Sequence, residues 1–513
     1  MTGFVRSGRS LDADHEERCD VCVIGSGAGG AVVAAGLAAQ GLDVVVVEAG
    51  TAVGRADFDM QESTAYARLY QERGLRASAD KAIGILQGRS LGGGTTVNWT
   101  TCFRTPARIL ERWRSVHGVE GWDEASLEPH FQAVEQRLSI AEWPEALVNA
   151  NNGALLRGGR ALGMAVQPLR RNVRGCANSG YCGMGCPVDG KQAMHLTFLP
   201  DAVAAGARIY TDVEADRVEH DGKRATAVQC FALDEVRGRS TRRSLRILPK
   251  VVVSSAGALN TPMLFIRSEL DVLGPVGERT FLHPVVVVAG RYEQVIGGWY
   301  GAPQSMASHA HVDRGPQRVG FFLEAAPVHP LLAAQAFGGF GHQEAEFMGQ
   351  LDRTAVFIGL AVDGLHPDAP GGRVTRLRDG RMHLSYPVTP ALIEAFRAAH
   401  GVMAQVHLAA GAREAVSLHV DPVRVGSAAE LGRLDAAAYG AHKHAIFSAH
   451  QMGGCVMGAD PQTSVVRSDL RHHQVQNLFV VDGSALPTAL GVNPSETLYA
   501  LGHRAVSWVA AAV

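Results

Sequence analysis

Six residues, Gly25-Ser26-Gly27-Ala28-Gly29-Gly30, spell G-x-G-x-x-G between an apolar run and an alanine-rich run. Glycines at this spacing allow a tight turn and let backbone approach a pyrophosphate at a helix N-terminus. The context fits a dinucleotide site: a strand over 20–24, a helix over 31–40 and a second strand over 44–48. That second strand, Val44-Val45-Val46-Val47, ends on Glu48. A carboxylate there accepts from ribose hydroxyls and repels a 2′-phosphate, which disfavours NADP. The expected contacts are Gly25, Gly27, Ala28, Gly30 and Glu48. Alone, the motif does not separate NAD from FAD.

A second glycine loop follows, Gly88-Arg89-Ser90-Leu91-Gly92-Gly93-Gly94-Thr95-Thr96-Val97-Asn98-Trp99. Consecutive glycines bring backbone against a flat ring. Thr95, Thr96 and Asn98 add short polar groups for ring edge and phosphates. Three later segments accompany it: Ser255–Pro262, His450–Gly458, and Asn477–Ser484 with Asn493-Pro494. Asp482 ends an apolar run, a common place for a ligand-binding residue in open sheets.

In this order the segments resemble the signatures of the glucose–methanol–choline (GMC) oxidoreductases, and the resemblance spans nearly the whole chain. It implies an α/β fold: a Rossmann-like FAD-binding domain with a second α+β substrate domain on an antiparallel sheet. The expected division is residues 19–105, 195–284 and 436–513 for FAD, and 106–194 and 285–435 for substrate. The resemblance also implies flavin contacts from Gly93, Gly94, Thr95, Asn98, Asp482, Gly483, Asn493 and Pro494, with Val213 beside the adenine. The family's catalytic pair falls on His450 and Asn493. His450 is then the base or a hydrogen-bond partner of the substrate oxygen, and Asn493 orients the alcohol and donates to a forming alkoxide. If His450 is the base, activity falls as pH drops below its pKa. The implied reaction is oxidation of a primary aliphatic or benzylic alcohol, with oxygen or an electron-acceptor protein as the final acceptor. Hydroxynitrile lyases share the fold without redox chemistry; photodecarboxylases usually replace the catalytic pair.

A third loop carries Cys176, Cys182 and Cys186, spaced C-x5-C-x3-C. It is similar to the loop of bacterial FAD glucose dehydrogenases, where three thiolates hold a [3Fe–4S] cluster serving a cytochrome partner. The following Cys186–Gln192 and Thr197–Val203 segments, and Gly298–Ser305, resemble the long-chain alcohol oxidases instead, in which the loop is structural. Both readings stand open. Zinc lacks a clear fourth ligand.

Composition bounds the rest. The 513 residues are 46% hydrophobic with a formal net charge of -2. That is no footprint for nucleic acid. Eight cysteines in such a length are not a disulfide framework. The Cys19/Cys22 pair, three apart on a strand, points to opposite faces. No apolar run suits a secretory signal or a bilayer span, so a cytoplasmic location is expected. The oligomeric state is not legible.

Residues 1–18 read as a polar arm. Trp113, Trp122, Leu127 and Phe131 read as core anchors of a helical stretch over 106–172. Residues 206–255 alternate as a β-meander, and 390–410 as a helix. Candidate pocket liners are Trp299, Phe337, Phe340, Phe347 and Met348. Glu324 reads first as a solvated or paired carboxylate and second as facing substrate. His442, His444 and His503 read as structural, and His472 and His473 as lying in an exposed turn.

Overall fold

The computed structural model describes residues 3–234, 239–337 and 339–513. One sheet holds β1 (Phe4–Ser7), β2 (His15–Ile24), β3 (Val44–Val47), β4 (Arg208–Thr211), β5 (Val213–His220), β6 (Ala225–Leu233) and β7 (Arg239–Ser254). Their order is β1-β4-β3-β2-β7-β6-β5. Pairing is parallel from β1 to β7 and antiparallel from β7 to β5. β7 is long enough to belong to both halves, and its end also pairs in parallel with Leu478–Val480. The valines of β2 and β3 are fully buried, with the helix over Ala28–Ala39 packed against both strands and β5 against β3. Helix α1 (Ala28–Ala39) is capped by Gly27, and Gly25, with φ +100°, allows the strand-to-helix turn at the sheet's C-terminal edge.

Two expectations need correction here. The polar arm is ordered structure: β1 pairs with β4, and β2 begins at His15, not residue 20. Ser7 and Arg9 bind the Asp212 carboxylate at 2.7 and 3.0 Å. An open parallel edge would otherwise leave backbone groups unpaired, and these residues supply the missing strand. The meander also begins later than expected. β4 belongs to the parallel half, and Asp212, with φ +54°, turns the chain into β5.

A second sheet is antiparallel: β8 (Val285–Arg291), β9 (Met306–Ser308), β10 (Phe321–Ala325), β11 (Thr354–Ala361) and β12 (Glu414–Ser417), in the order β12-β8-β11-β10-β9. Helix α2 (Pro390–Ala409) covers one face through Leu392, Phe396, Ala399 and Met403. Its start is set by Pro390 and by Thr389, whose hydroxyl accepts the Leu392 N–H. The anchors Trp113, Trp122, Leu127 and Phe131 are all buried. Among the described residues, no helix is long and apolar enough to cross a membrane.

Candidate active site

A cavity of about 940 Å³ opens where the C-terminal edge of the first sheet meets the second sheet. Gly25, Gly27, Ala28, Glu48 and Val213 line one part of it. Gly25 has φ +100°, and a Cβ there would lie 2.2 Å from the Ser255 carbonyl oxygen, so only glycine fits. Gly30 faces away: its Cβ would meet the Gly25 carbonyl oxygen at 2.1 Å, so its role is close helix–strand packing. Glu48 clamps the turn. One carboxylate oxygen accepts the Ser26 N–H and hydroxyl at 3.0 and 2.6 Å, and the other accepts the Gly50 N–H at 2.7 Å.

The second glycine loop lies across the first. A Cβ on Gly93 would sit 2.8 Å from Gly27 Cα, whereas one on Gly94 would meet nothing within 4 Å and would project into open space. Gly93, Gly94, Thr95 and Asn98 line the cavity; Thr96 bonds inward to the Leu91 carbonyl. Asn98 Oδ1 is buried without a partner. Asp482 ties two segments together, accepting from Gly257 N–H and Thr261 Oγ1 on one oxygen and from Ser484 N–H and Oγ on the other. Asp482, Gly483, Asn493 and Pro494 line the cavity as well.

His450 and Asn493 face the same cavity and touch, His450 Nε2 lying 3.3 Å from Asn493 Nδ2. They belong to a longer chain of side chains. Asn493 Nδ2 is 3.4 Å from Glu324 Oε2, which accepts from Gln304 Nε2 at 2.7 Å; Thr101 Oγ1 donates to Gln304 Oε1 at 2.7 Å. On the other side, His450 Nδ1 is 3.2 Å from His283 Nδ1, and His283 Nε2 accepts the Gly491 N–H. Burial alone pushes the His450 imidazole down to about 4. It pushes His283 well below the usual imidazole range, and His450 and His309 add to that. Burial raises the Glu324 carboxyl to about 8, outweighing the donors Asn493 and Gln304. Its Oε1 is buried with no partner.

Glu324 is thus neither solvated nor ion-paired, because β10 lies inside the second sheet and Glu324 is its one residue that lines the cavity. Sequence reasoning missed His283 and Gln304. His283 lies outside the recognisable segments and Gln304 inside one, Gly298–Ser305, read there only as a resemblance; the pairing of β9 with β10 sets Gln304 beside Glu324. The aromatic pocket liners are also corrected. None of Trp299, Phe337, Phe340, Phe347 and Met348 lines the cavity. Phe337 and Phe347 pack against each other with tilted rings, and Phe340 is 93% exposed. The apolar wall comes instead from Met263, Val285, Ile358, Leu360 and Phe447. His472 does not lie in an exposed turn: it is buried, accepts the Val475 N–H on Nδ1 and meets Phe265 edge-on. His444 and His503 pack against other histidines away from the cavity.

The cysteine loop braces the second glycine loop. The buried Lys191 ammonium donates to the carbonyls of Thr96, Asn98 and Cys182. Tyr70 Oη donates to the Gly183 carbonyl at 2.6 Å. Arg171 stacks on Trp143 and reaches Cys182 Sγ at 3.8 Å. Among the described residues, no group of three or more His, Cys, Asp or Glu side chains is arranged to hold a metal ion. These contacts tie the loop that carries Cys176, Cys182 and Cys186 to the second glycine loop.

Comparison with known proteins agrees with this architecture. GMC oxidoreductase family models match residues 66–285 and 370–502. An uncharacterized GMC-type oxidoreductase of Mycobacterium tuberculosis is 32% identical over 494 residues, covering 96% of this chain and 76% of that protein. A long-chain-alcohol oxidase of Arabidopsis thaliana is 30% identical over 520 residues, covering 96% of this chain and 67% of that protein. Pyridoxine 4-oxidase from Mesorbium loti has a similar fold, with a TM-score of 0.72 at 19% identity, covering 96% of this chain and 99% of that one. Two glycine loops crossing under one cavity, a mixed sheet and these matches lead to one conclusion: the chain belongs to the GMC oxidoreductases.

Proposed function

We propose that this protein oxidises a primary aliphatic or benzylic alcohol to the aldehyde with bound FAD, and that oxygen or another acceptor then takes the electrons. The observation that carries the reading is His450 and Asn493 side by side in the cavity that the two glycine loops enter.

The residues present fit FAD. Gly94 leaves room that any side chain would fill, Gly27 is nearly as open, and Asn98 Oδ1 is a buried acceptor without a partner. Glu48 still has lone-pair capacity beyond its bonds to Ser26 and Gly50, enough for a ribose hydroxyl. Gly25, Gly27, Ala28 and Glu48 would hold the adenosine diphosphate half, with Val213 beside the adenine. Gly93, Gly94, Thr95, Asn98, Asp482, Gly483, Asn493 and Pro494 would hold the flavin half. When bound, the flavin supplies an acceptor for the hydride of the alcohol C–H bond, so the carbon is oxidised and only the hydroxyl proton is left for the protein.

The chain's own groups then do three things. Asn493 and His450 hydrogen-bond the substrate oxygen and fix its direction. The buried cluster excludes water, which strengthens each of those bonds. Met263, Val285, Ile358, Leu360 and Phe447 give an apolar wall suited to a hydrocarbon tail. The similarity to a long-chain-alcohol oxidase points the same way.

The test is a substrate panel in air, with aldehyde and hydrogen peroxide assayed together. Aldehyde from alkanols or benzyl alcohol, and none from glucose, supports the reading. Turnover of glucose alone contradicts it.

A further inference from the structure

Arg76 lines the cavity but lies outside both glycine loops and outside the three later segments. Among the described residues the Arg and Lys side chains in the lining are Arg76, Lys81, Arg89, Arg267 and Arg381. Of these Arg76 alone is buried, at 7% exposed. A cation taken out of water needs compensation, and that of Arg76 is incomplete. Its Nε donates to Glu72 Oε1 at 2.9 Å, but the Glu72 side chain is itself 54% exposed. Burial lowers the guanidinium from its ordinary value, by more than Glu72 and Glu214 restore, and Arg89 adds to the lowering. The backbone that returns Glu72 to Arg76 is strained. Glu72, Arg73 and Gly74 are left-handed in succession, with φ +50°, +59° and +80°. Two non-glycine residues in a row rarely adopt this.

The guanidinium is held by its other nitrogens as well. Nη1 donates to Gln87 Oε1 at 2.6 Å and to Asn260 Oδ1 at 3.0 Å, which uses both of its hydrogens. Nη2 carries two more and has no partner among the described residues. It is not sealed in the protein either, so its open surface is toward the cavity. The neighbours say which part of the cavity that is. Asn260 follows the turn Ser255–Gly257, where the Ser255 carbonyl closes on Gly25 and the Gly257 N–H bonds Asp482. Glu214, close enough to act on the Arg76 charge, is next to Val213. Arg76 therefore stands at the part of the cavity that Gly25 and Val213 line.

That part has a charge to meet. The diphosphate of FAD carries two negative charges. Gly25, Gly27, Ala28, Glu48 and Val213 bring one carboxylate and no cation, and a helix N-terminus supplies only about half a charge. We infer that Arg76 is a cofactor-binding residue, which donates from Nη2 to the adenosine diphosphate half of FAD and so favours the dinucleotide over a flavin without that half. This rests on the reading of the cavity as an FAD site. Glu72, Gln87 and Asn260 aim the fork, and a fixed guanidinium loses little freedom when its last nitrogen finds an acceptor.

The test titrates the full-length chain, freed of flavin, with FAD, ADP and riboflavin by calorimetry. Arg76→Met should bind FAD and ADP at least about tenfold more weakly, the loss of one charge-assisted hydrogen bond, and riboflavin as wild type does. Glu72→Gln, which leaves Nη2 in place, should stay close to wild type for all three. Unchanged affinity of Arg76→Met for FAD and ADP overturns the proposal. So does an equal loss for riboflavin, which would mark Arg76 as structural, and so does a Glu72→Gln as weak as Arg76→Met, since Arg76 would then only hold Glu72. Should Arg76→Met not fold, Arg76→Lys keeps the charge without the fork; it should weaken FAD and ADP but not riboflavin, and wild-type affinity for FAD and ADP overturns the proposal again. A wild type that binds neither FAD nor ADP sinks the FAD reading and the proposal with it, whereas a wild type that binds FAD no better than Arg76→Met does sinks the proposal alone.

Discussion

Gly93 rests on Gly27: a Cβ added to Gly93 would come within 2.8 Å of Gly27 Cα, and its φ of +56° is itself unfavourable for other residues. The two glycine loops are therefore one unit, and neither can move without the other. Gly93→Ala carries about 1–2 kcal/mol of backbone strain before any clash. The expected result is a folded protein that retains FAD at least tenfold more weakly. The ratio of flavin to protein absorbance after gel filtration checks this, with circular dichroism as the control for folding.

Glu48→Ala should damage the same site differently. It leaves the Ser26 and Gly50 N–H groups without their acceptor, at about 1–3 kcal/mol for each group that stays dry. Thermal unfolding of the flavin-free protein should therefore fall, an effect Gly93→Ala need not share. Equal loss of FAD with unchanged flavin-free stability would argue against Glu48 as a clamp.

Lys191→Met removes the ammonium that ties the cysteine loop to Thr96 and Asn98. Flavin content should drop. If the loop is a brace, the Cys176→Ser/Cys186→Ser double variant keeps flavin content and its reduction rate near wild type, and purified protein contains no stoichiometric iron or acid-labile sulfide. Iron at three per chain, lost in the double variant, would restore the cluster reading.

Stability should fall in mild acid. His400, His419 and His444 pack together, and His407 lies under Tyr292. Burial drives His400 well below the usual imidazole range, His407 to about 3, and His419 and His444 to about 4. Each takes up a proton on unfolding below its free value of 6.5. Their stabilising contribution is full above that pH and is lost as pH falls from 6.5 toward 4. The slope is about 1.4 kcal/mol per pH unit for each proton gained. Glu324 and Asp363, raised to about 8 and about 6, and Glu496 and Asp482, also raised by burial, act in the opposite direction from about 4.5 upward, but His117, His195, His309 and His472, each lowered to about 4 with burial the largest cause, add to the histidine side. Urea midpoints at pH 7, 6 and 5 should decrease in that order; a flat series contradicts the assignment.

What could be read in advance was what is local. The Gly25–Gly30 turn, the end of β2, α1, β3 and α2 follow from glycine placement and apolar periodicity, all within a few residues. The chemistry beyond His450 and Asn493 was hidden for a physical reason. His283 follows a short strand, Glu324 is one carboxylate among many, and Gln304 lies in a loop. Local sequence suggests Glu324 only as a secondary possibility and gives Gln304 no chemical role, and the antiparallel pairing of β8, β9, β10 and β11 sets their distances. The pocket aromatics failed for the converse reason: hydrophobic side chains in 285–435 serve the second core first. The N-terminal arm failed because a polar edge strand looks like a tail until its partner is known.

The central claim is alcohol oxidation in the cavity shared by His450 and Asn493. The most direct measurement is the flavin absorbance of the purified protein under anaerobic conditions as alkanols and benzyl alcohol are added, with air admitted at the end. The account predicts bleaching by at least one of them in wild type, a rate at least about a hundredfold lower in His450→Asn, and recovery of the oxidised spectrum in air. A bound, chemically reducible flavin that no alcohol bleaches would contradict it.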